Sequence, residues 1–164
     1  MGLMIRATEA HGCAPERAPG QESLNLYAES SAVLAWLLGE PGAAAVRKAL
    51  AKATRIVASD LTLVECDRVL IRAQTLGDLR EADGATLRGL LNSAAAHWNL
   101  LHVDRPVVER ARQPFPGEPV RTMDAVHLAS ALVVGAALSD LVVLSLDARI
   151  RGAARQLGLR LAPA

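Results

Sequence analysis

Aromatic residues are almost missing from this chain: Trp36, Trp98, Tyr27 and Phe115 are the whole set in 164 residues. Any core must therefore be aliphatic, and the aromatic platforms on which single-stranded nucleic acids stack are excluded as a main binding device. Lysine is nearly as scarce, with Lys48 and Lys52 alone, so the cationic surface is arginine, whose planar fork suits phosphate and carboxylate. The two cysteines, Cys13 and Cys66, lie far apart and imply no disulfide framework, which fits a reducing compartment. No apolar run reaches the roughly 18 residues of a spanning helix. The longest uncharged stretch, Ala125 to Ser139, contains His127. The chain start has no apolar h-region of a secretory signal. A soluble, cytoplasmic protein without membrane association is expected.

Several chemistries are excluded by motifs that are missing. Neither GxxxxGK[ST] nor GxGxxG occurs, so no P-loop or Rossmann phosphate cradle is available. There is no CxxC or HExxH zinc site and no GxSxG elbow. A response-regulator domain would need a late lysine, and none follows Lys52. The formal net charge of +1 leaves substrate class undecided.

What is present is a regular alternation of periods. Length and the half-apolar composition suit one domain with a single core. Met1 to Ser23 mix Gly, Pro and charge without periodicity and read as a disordered extension, so the domain is expected over residues 24–164. From Leu24, strand-like LNLYA, RIVAS, NLLHV and LVVLSL alternate with helical SSAVLAWLL, AAAVRKALAKA, LTLVECDRVLIRAQTL, EADGATLRGLLNSAAAHW, PVVERARQ, DAVHLASALVVGAAL and ARIRGAARQLG. With no hairpin signal between strands, this order predicts an α/β fold, a parallel sheet sandwiched by helices.

Ligands of an open parallel sheet bind beyond the carboxyl ends of its strands. Four acids follow strands there: Glu29, Asp60, Asp104 and Asp147. Aspartate before a helix is also a favoured N-cap, worth about 1 kcal/mol without any function. That reading suits Asp60 and Asp104 and competes evenly with function at Asp147. It suits Glu29 poorly, since Ser30 or Ser31 could cap instead, which leaves an exposed strand-end residue as its plain alternative. Glu65 could pair with Arg68 one turn on, and Asp124 could merely complement a helix dipole. His127 reads as a packed histidine beside Ala125, Leu128 and Leu132.

Four strings, taken in order, resemble the PIN-domain family of the VapC toxin type. They are YAESSAVLAWLLGEP, SDLTLVECDRVLIRA, RTMDAVHLASAL and LVVLSLDARIRGAARQLGL, spread in order from Tyr27 to Leu159. The resemblance implies a PIN-like three-layer α/β/α sandwich with a mainly parallel sheet. It implies an acidic cluster of Glu29, Glu65, Asp124 and Asp147, with Ser31 at the small hydroxyl position and Ser145 two residues before the last acid. Asp60, Asp104 and His127 match no ligand position of the pattern. Clustered carboxylates repel one another unless a cation neutralises them, and hard oxygen donors favour Mg2+ or Mn2+. The implied activity is metal-dependent RNA cleavage by water attacking in line. The implied partners are an RNA substrate, a VapB-like antitoxin whose tail blocks the acids, and a second copy in a homodimer, with Trp36 and Leu37 as contact surface.

One position departs from the pattern, in which the first acid is usually aspartate and here is Glu29. Its carboxylate reaches about 1.5 Å further, against Mg2+–oxygen distances of about 2.0–2.1 Å that tolerate little misplacement. A catalytically weak PIN domain kept as a protein-interaction module is therefore the alternative, and a phosphohydrolase of small esters a third reading. Since Met1–Ser23 carry too little apolar surface to dock, a chain starting at Leu24 should keep the melting temperature of the full chain. A loss of several degrees on truncation would show that the segment packs.

Overall fold

The computed structural model describes residues 24–163; the expected extension Met1–Ser23, with Cys13, lies outside the described residues. The elements run β1 (Asn25–Ala28), α1 (Ser30–Leu38), α2 (Ala43–Lys52), β2 (Arg55–Ser59), α3 (Asp60–Leu76), α4 (Glu81–Ala95) and β3 (Asn99–Leu101). They continue α5 (Arg105–Ala111), α6 (Thr122–Ala137), β4 (Leu141–Leu144), α7 (Ala148–Gln156) and β5 (Arg160–Ala162). The alternation legible in the sequence is thus the order of the fold. Strands NLLHV and LVVLSL end early, because their last residues leave the ladder to enter the turns before α5 and α7.

All strand pairs are parallel, and the sheet order is β3-β2-β1-β4-β5. The chain builds outward from β1 to β3 on one side and then returns to place β4 on the other side of β1. This makes the β1–β4 seam the switch point where open α/β sheets leave a crevice. Register sharpens the placement: Ala28 lies opposite Leu144, and the Glu29 amide donates to the Leu144 carbonyl at 3.0 Å. Residues 29 and 145 therefore leave the sheet side by side.

Strands of a sheet covered on both faces must be apolar on both. Leu26, Tyr27 and Ala28, like Leu141–Leu144, are buried. Tyr27, Val57, Leu101 and Val143 pack with Val107, Leu128 and Ile150 of α5–α7. Their neighbours on the strands pack the other way, Ala28 and Ala58 with Val33, Cys66 and Leu91, and Leu26 and Val142 with Ala32 and Val46 of α1 and α2. The result is the three-layer α/β/α sandwich. Small residues on α6, Ala125, Ala129 and Ala131, let that helix lie close on the sheet in a core short of aromatics. The turn between α1 and α2 uses left-handed backbone at Gly39 and Gly42, and a Cβ on Gly42 would meet Leu146 at 2.9 Å. That close approach sets α2 against the loop leaving β4.

One expectation needs correction. Leu37 is buried and so belongs to the core rather than to a contact surface, while Trp36 is partly buried against both clusters on its side of the sheet. Among the described residues no helix is long and apolar enough to cross a membrane. Leu26 is fully buried at the centre of the sheet. Leu26→Ala should cost about 2–5 kcal/mol in urea unfolding, as deletions in well-packed cores do. A loss below about 1 kcal/mol would contradict the packing described for β1.

Candidate active site

Glu29 ends β1 and starts α1, and it is neither exposed nor idle. It is 2% exposed and stands as the N-cap of α1, contrary to the expectation that Ser30 or Ser31 would cap. The side chain folds back so that Oε1 accepts from the Ser31 amide at 3.0 Å. The Ser31 hydroxyl donates to Oε2, the Ser145 hydroxyl donates to Oε2 at 2.7 Å, and the Ser30 hydroxyl lies 2.8 Å from Oε1. Three serines thus surround a buried carboxylate that would otherwise be costly.

Ser31 ties this carboxylate to the next strand end. Its Oγ accepts from the amides of Leu146 and Asp147 at 2.9 and 3.0 Å. With one proton given and two lone pairs used, that hydroxyl has its full complement. Asp147 caps α7, Oδ1 accepting from the Arg149 and Ile150 amides at 2.7 and 3.3 Å. Both roles weighed for Asp147, cap and site residue, are thereby compatible in space.

Glu65, one turn into α3, turns inward rather than toward Arg68. Its Oε2 is 2.6 Å from both Ser30 Oγ and His127 Nε2. His127 is buried at 2% exposure on α6, its Nδ1 3.0 Å from the Tyr27 hydroxyl. A carboxylate only accepts, so Nε2 carries the proton, and in the neutral ring the Tyr27 hydroxyl donates to Nδ1. Burial raises the Tyr27 phenol far above its ordinary value, which keeps it a donor. Burial alone would also raise the Glu65 carboxyl, but hydrogen bonds from His127 and Ser30, with the positive charge available on His127, together hold it below the usual range. Burial, with Glu29 and Glu65 nearby, pushes the Cys66 thiol up to about 12, so it is no nucleophile.

Asp124 sits in the first turn of α6, its side chain 14% exposed, and meets Arg149 Nε at 3.3 Å. Arg149 NH2 also meets Asp147 at 2.9 Å. The four predicted acids therefore form two linked pairs, Glu29 with Glu65 through Ser30, and Asp124 with Asp147 through Arg149, and the Ser31 and Ser145 hydroxyls lie between them.

The donor set fits a divalent cation. Ser30 has one hydroxyl proton and two carboxylates within 2.8 Å of its oxygen, so one close approach lacks a proton of its own. Ligand atoms of Glu29, Glu65 and His127 lie within 4.8 Å of one another. A guanidinium already bridges the other two acids, standing where positive charge is needed.

Asp60 and Asp104 do not act as the expected caps. Ser59 caps α3, its Oγ accepting from Thr62, while Asp60 pairs with His102 at 2.8 Å, a contact across adjacent strand ends. Asp104 occupies the cap position of α5 without a side-chain bond. Sequence reasoning undervalued His127 and missed Tyr27 and Arg149. The signals were there in part: Asp124 and His127 are one helical turn apart, and Arg149 lies two residues beyond a strand-end acid.

The sequence pattern of the family described as PIN domain matches residues 26–156. Ribonuclease VapC46 of Mycobacterium tuberculosis (strain ATCC 25618 / H37Rv) is 34% identical over 134 residues, which are 82% of this chain and 93% of that protein. Among solved structures, FitAcB from Neisseria gonorrhoeae superposes with a TM-score of 0.64 at 17% identity, covering 83% of this chain and 95% of that one. VapC20 of Mycobacterium tuberculosis, described as a sarcin-ricin loop cleaving toxin, gives 0.56 at 15% identity, covering 78% and 94%. At such identities these structures speak for the fold.

A pH prediction follows from Glu65. Its folded value lies below that of an unfolded carboxyl, so the ionised group adds stability that is complete above the ordinary value of 4.5 and lost as pH falls through the folded value. Melting temperatures of wild type and Glu65→Gln, followed against pH, should differ most near neutrality and draw together below pH 4.5. Parallel curves would show that Glu65 has no such linkage.

Proposed function

The chain belongs to the PIN-domain family, and on that premise we propose that it is a metal-dependent endoribonuclease, the toxin of a toxin–antitoxin pair. The observation that carries the proposal is the joining of four carboxylates in two linked pairs at the switch point of a parallel sheet. Glu65, Asp124 and Asp147 would hold Mg2+ or Mn2+, with Glu29 and Ser31 completing the site. When bound, such an ion supplies charge to the phosphoryl oxygens and lowers the pKa of the attacking water.

The chain's own residues do the rest. Glu29 anchors Ser31 and Ser145, and Ser31 fixes the amides that open α7, so Asp147 is held in place before any substrate arrives. His127 orients Glu65 through Nε2 and is itself oriented by Tyr27. Such support from behind a ligand commonly matters by about 10–100-fold in metal affinity or activity. RNA is the substrate class to which the ribonuclease relative directs the reading, and a cytoplasmic location is part of the same proposal.

A VapB-like antitoxin is the expected partner. A groove lined by Leu34, Leu38, Pro41, Val69 and Leu146 also has Ser31, Glu40 and Asp147 in its lining. An apolar tail bearing an arginine would match both its apolar and its acidic lining. A homodimer belongs to the same reading, through a surface that does not include the buried Leu37.

The second reading, a catalytically weak PIN domain serving as an interaction module, draws on the crowding of Glu29 by serine donors, which leaves it little capacity for an ion. Cleavage of a structured RNA pool with Mg2+ or Mn2+ separates the two. The nuclease reading expects Asp124→Ala to be inactive and Glu29→Ala to lose at least about 100-fold, whether Glu29 binds the ion or only braces the site. Wild type that cleaves nothing, while Glu29→Asp gains cleavage, would establish the module instead.

A further inference from the structure

Asp124 is the least supported acid of the cluster. Its side chain is only 14% exposed, and Arg149 is its one hydrogen-bond or ion-pair partner among the described residues. Glu29 has three serines around it, Glu65 has Ser30 and His127, and Asp147 has two amides. Removing Arg149 without replacement would leave two neighbouring carboxylates short of positive charge.

Arg149 is not placed there for the sake of its helix. It lies in the first turn of α7, where the helix dipole disfavours a cation. The side chain is 55% exposed and its guanidinium bonds only to the two carboxylates, whereas Arg151, two residues on, is committed to the carbonyls of Ser145, Ala162 and Pro163. Beside Arg149 a groove runs between α6, α7 and the preceding loop, lined by Pro116, Pro119, Val120, Leu128 and Gln156. Asp124 lies on the same groove.

We infer that Arg149 is an exchangeable counterion: it neutralises Asp124 and Asp147 until a divalent cation takes them, and the displaced guanidinium then grips an RNA phosphate in the adjoining groove. The inference rests on the nuclease reading and adds to it a residue that acts on cation and substrate with opposite sign. In the ion-free protein the arginine competes with the metal. In the loaded protein its charge, no longer paired with carboxylates, faces the phosphodiester, for which its forked donors are suited.

The test measures two equilibria on the full chain. Mn2+ binding is followed by calorimetry without RNA, and binding of fluorescein-labelled bulk tRNA is followed by anisotropy at saturating Ca2+ over a salt series. Arg149→Ala should bind Mn2+ about fivefold more tightly, the scale of relieving exposed ion pairs. It should bind tRNA more weakly, with the slope of log affinity against log salt reduced by about 0.7 to 1, one phosphate contact. Arg149→Gln, which keeps length without charge, should behave likewise, and the melting temperature should change little in either variant. Arg155→Ala, at the far end of α7, should leave both equilibria as they are.

Unchanged or weaker Mn2+ binding in Arg149→Ala, or an unchanged tRNA salt slope, overturns the proposal. So does an equal gain in Mn2+ affinity from Arg155→Ala, which would reduce the effect to net charge. Mn2+ binding by wild type that is lost in Asp124→Ala keeps the nuclease reading standing whatever Arg149 does. Wild type that binds no Mn2+ takes both down.

Discussion

Glu29 carries a carboxylate into a place nearly without water, and the donors that make this tolerable come from three serines on two strand ends. Each of those contacts fixes something else. Through Ser31 the carboxylate sets the two amides that begin the turn into α7, through Ser145 it grips the end of β4, and through Ser30 it approaches Glu65 on α3. A buried charge must collect hydrogen bonds or be lost. In meeting that demand Glu29 pulls three chain segments, distant in sequence, into one register.

The cluster is electrostatically divided. On one side hydroxyls and an imidazole satisfy Glu29 and Glu65; on the other a guanidinium alone balances Asp124 and Asp147 beyond the amides that cap α7. The first side is rigid because its donors are buried and tied to the sheet. The second is exchangeable because its cation is a half-exposed side chain. On the proposed reading, a site that admits an ion and a charged polymer needs both properties, a fixed frame and a place where charge can be traded. The Glu29 side chain serves the frame, capping α1 through Oε1 and meeting Ser145 through Oε2 at the same time.

The β1–β4 seam explains why the chemistry gathers here. Parallel strands present all their carboxyl ends on one edge, and the reversal of strand order at β1 opens a crevice between the elements that leave β1 and β4. Glu29 and Asp147 follow the two strands of that seam, and α3 and α6 bring Glu65 and Asp124 from opposite faces of the sheet. His102 and Asp60 show the same edge without the crevice: adjacent strand ends place an acid beside a partner, and the outcome is an exposed pair.

The sequence by itself determined the alternation of strands and helices and the parallel sheet. These rest on periodicity and on residue order, which local geometry converts directly into elements. The resemblance of four strings to the PIN-domain family named Glu29, Glu65, Asp124 and Asp147 as the candidate acids and left Asp60 and Asp104 out of the set. Only the tertiary structure decided which acid caps which helix, that Glu29 is buried, that Leu37 faces inward, and that His127 and Arg149 are the partners of the acids. The physical reason is range. Propensity and pattern act over a few residues, whereas Ser145 meets Glu29 across 116 positions and Arg149 meets Asp124 across 25, and the desolvation that makes such contacts necessary exists only once the sheet has closed around them.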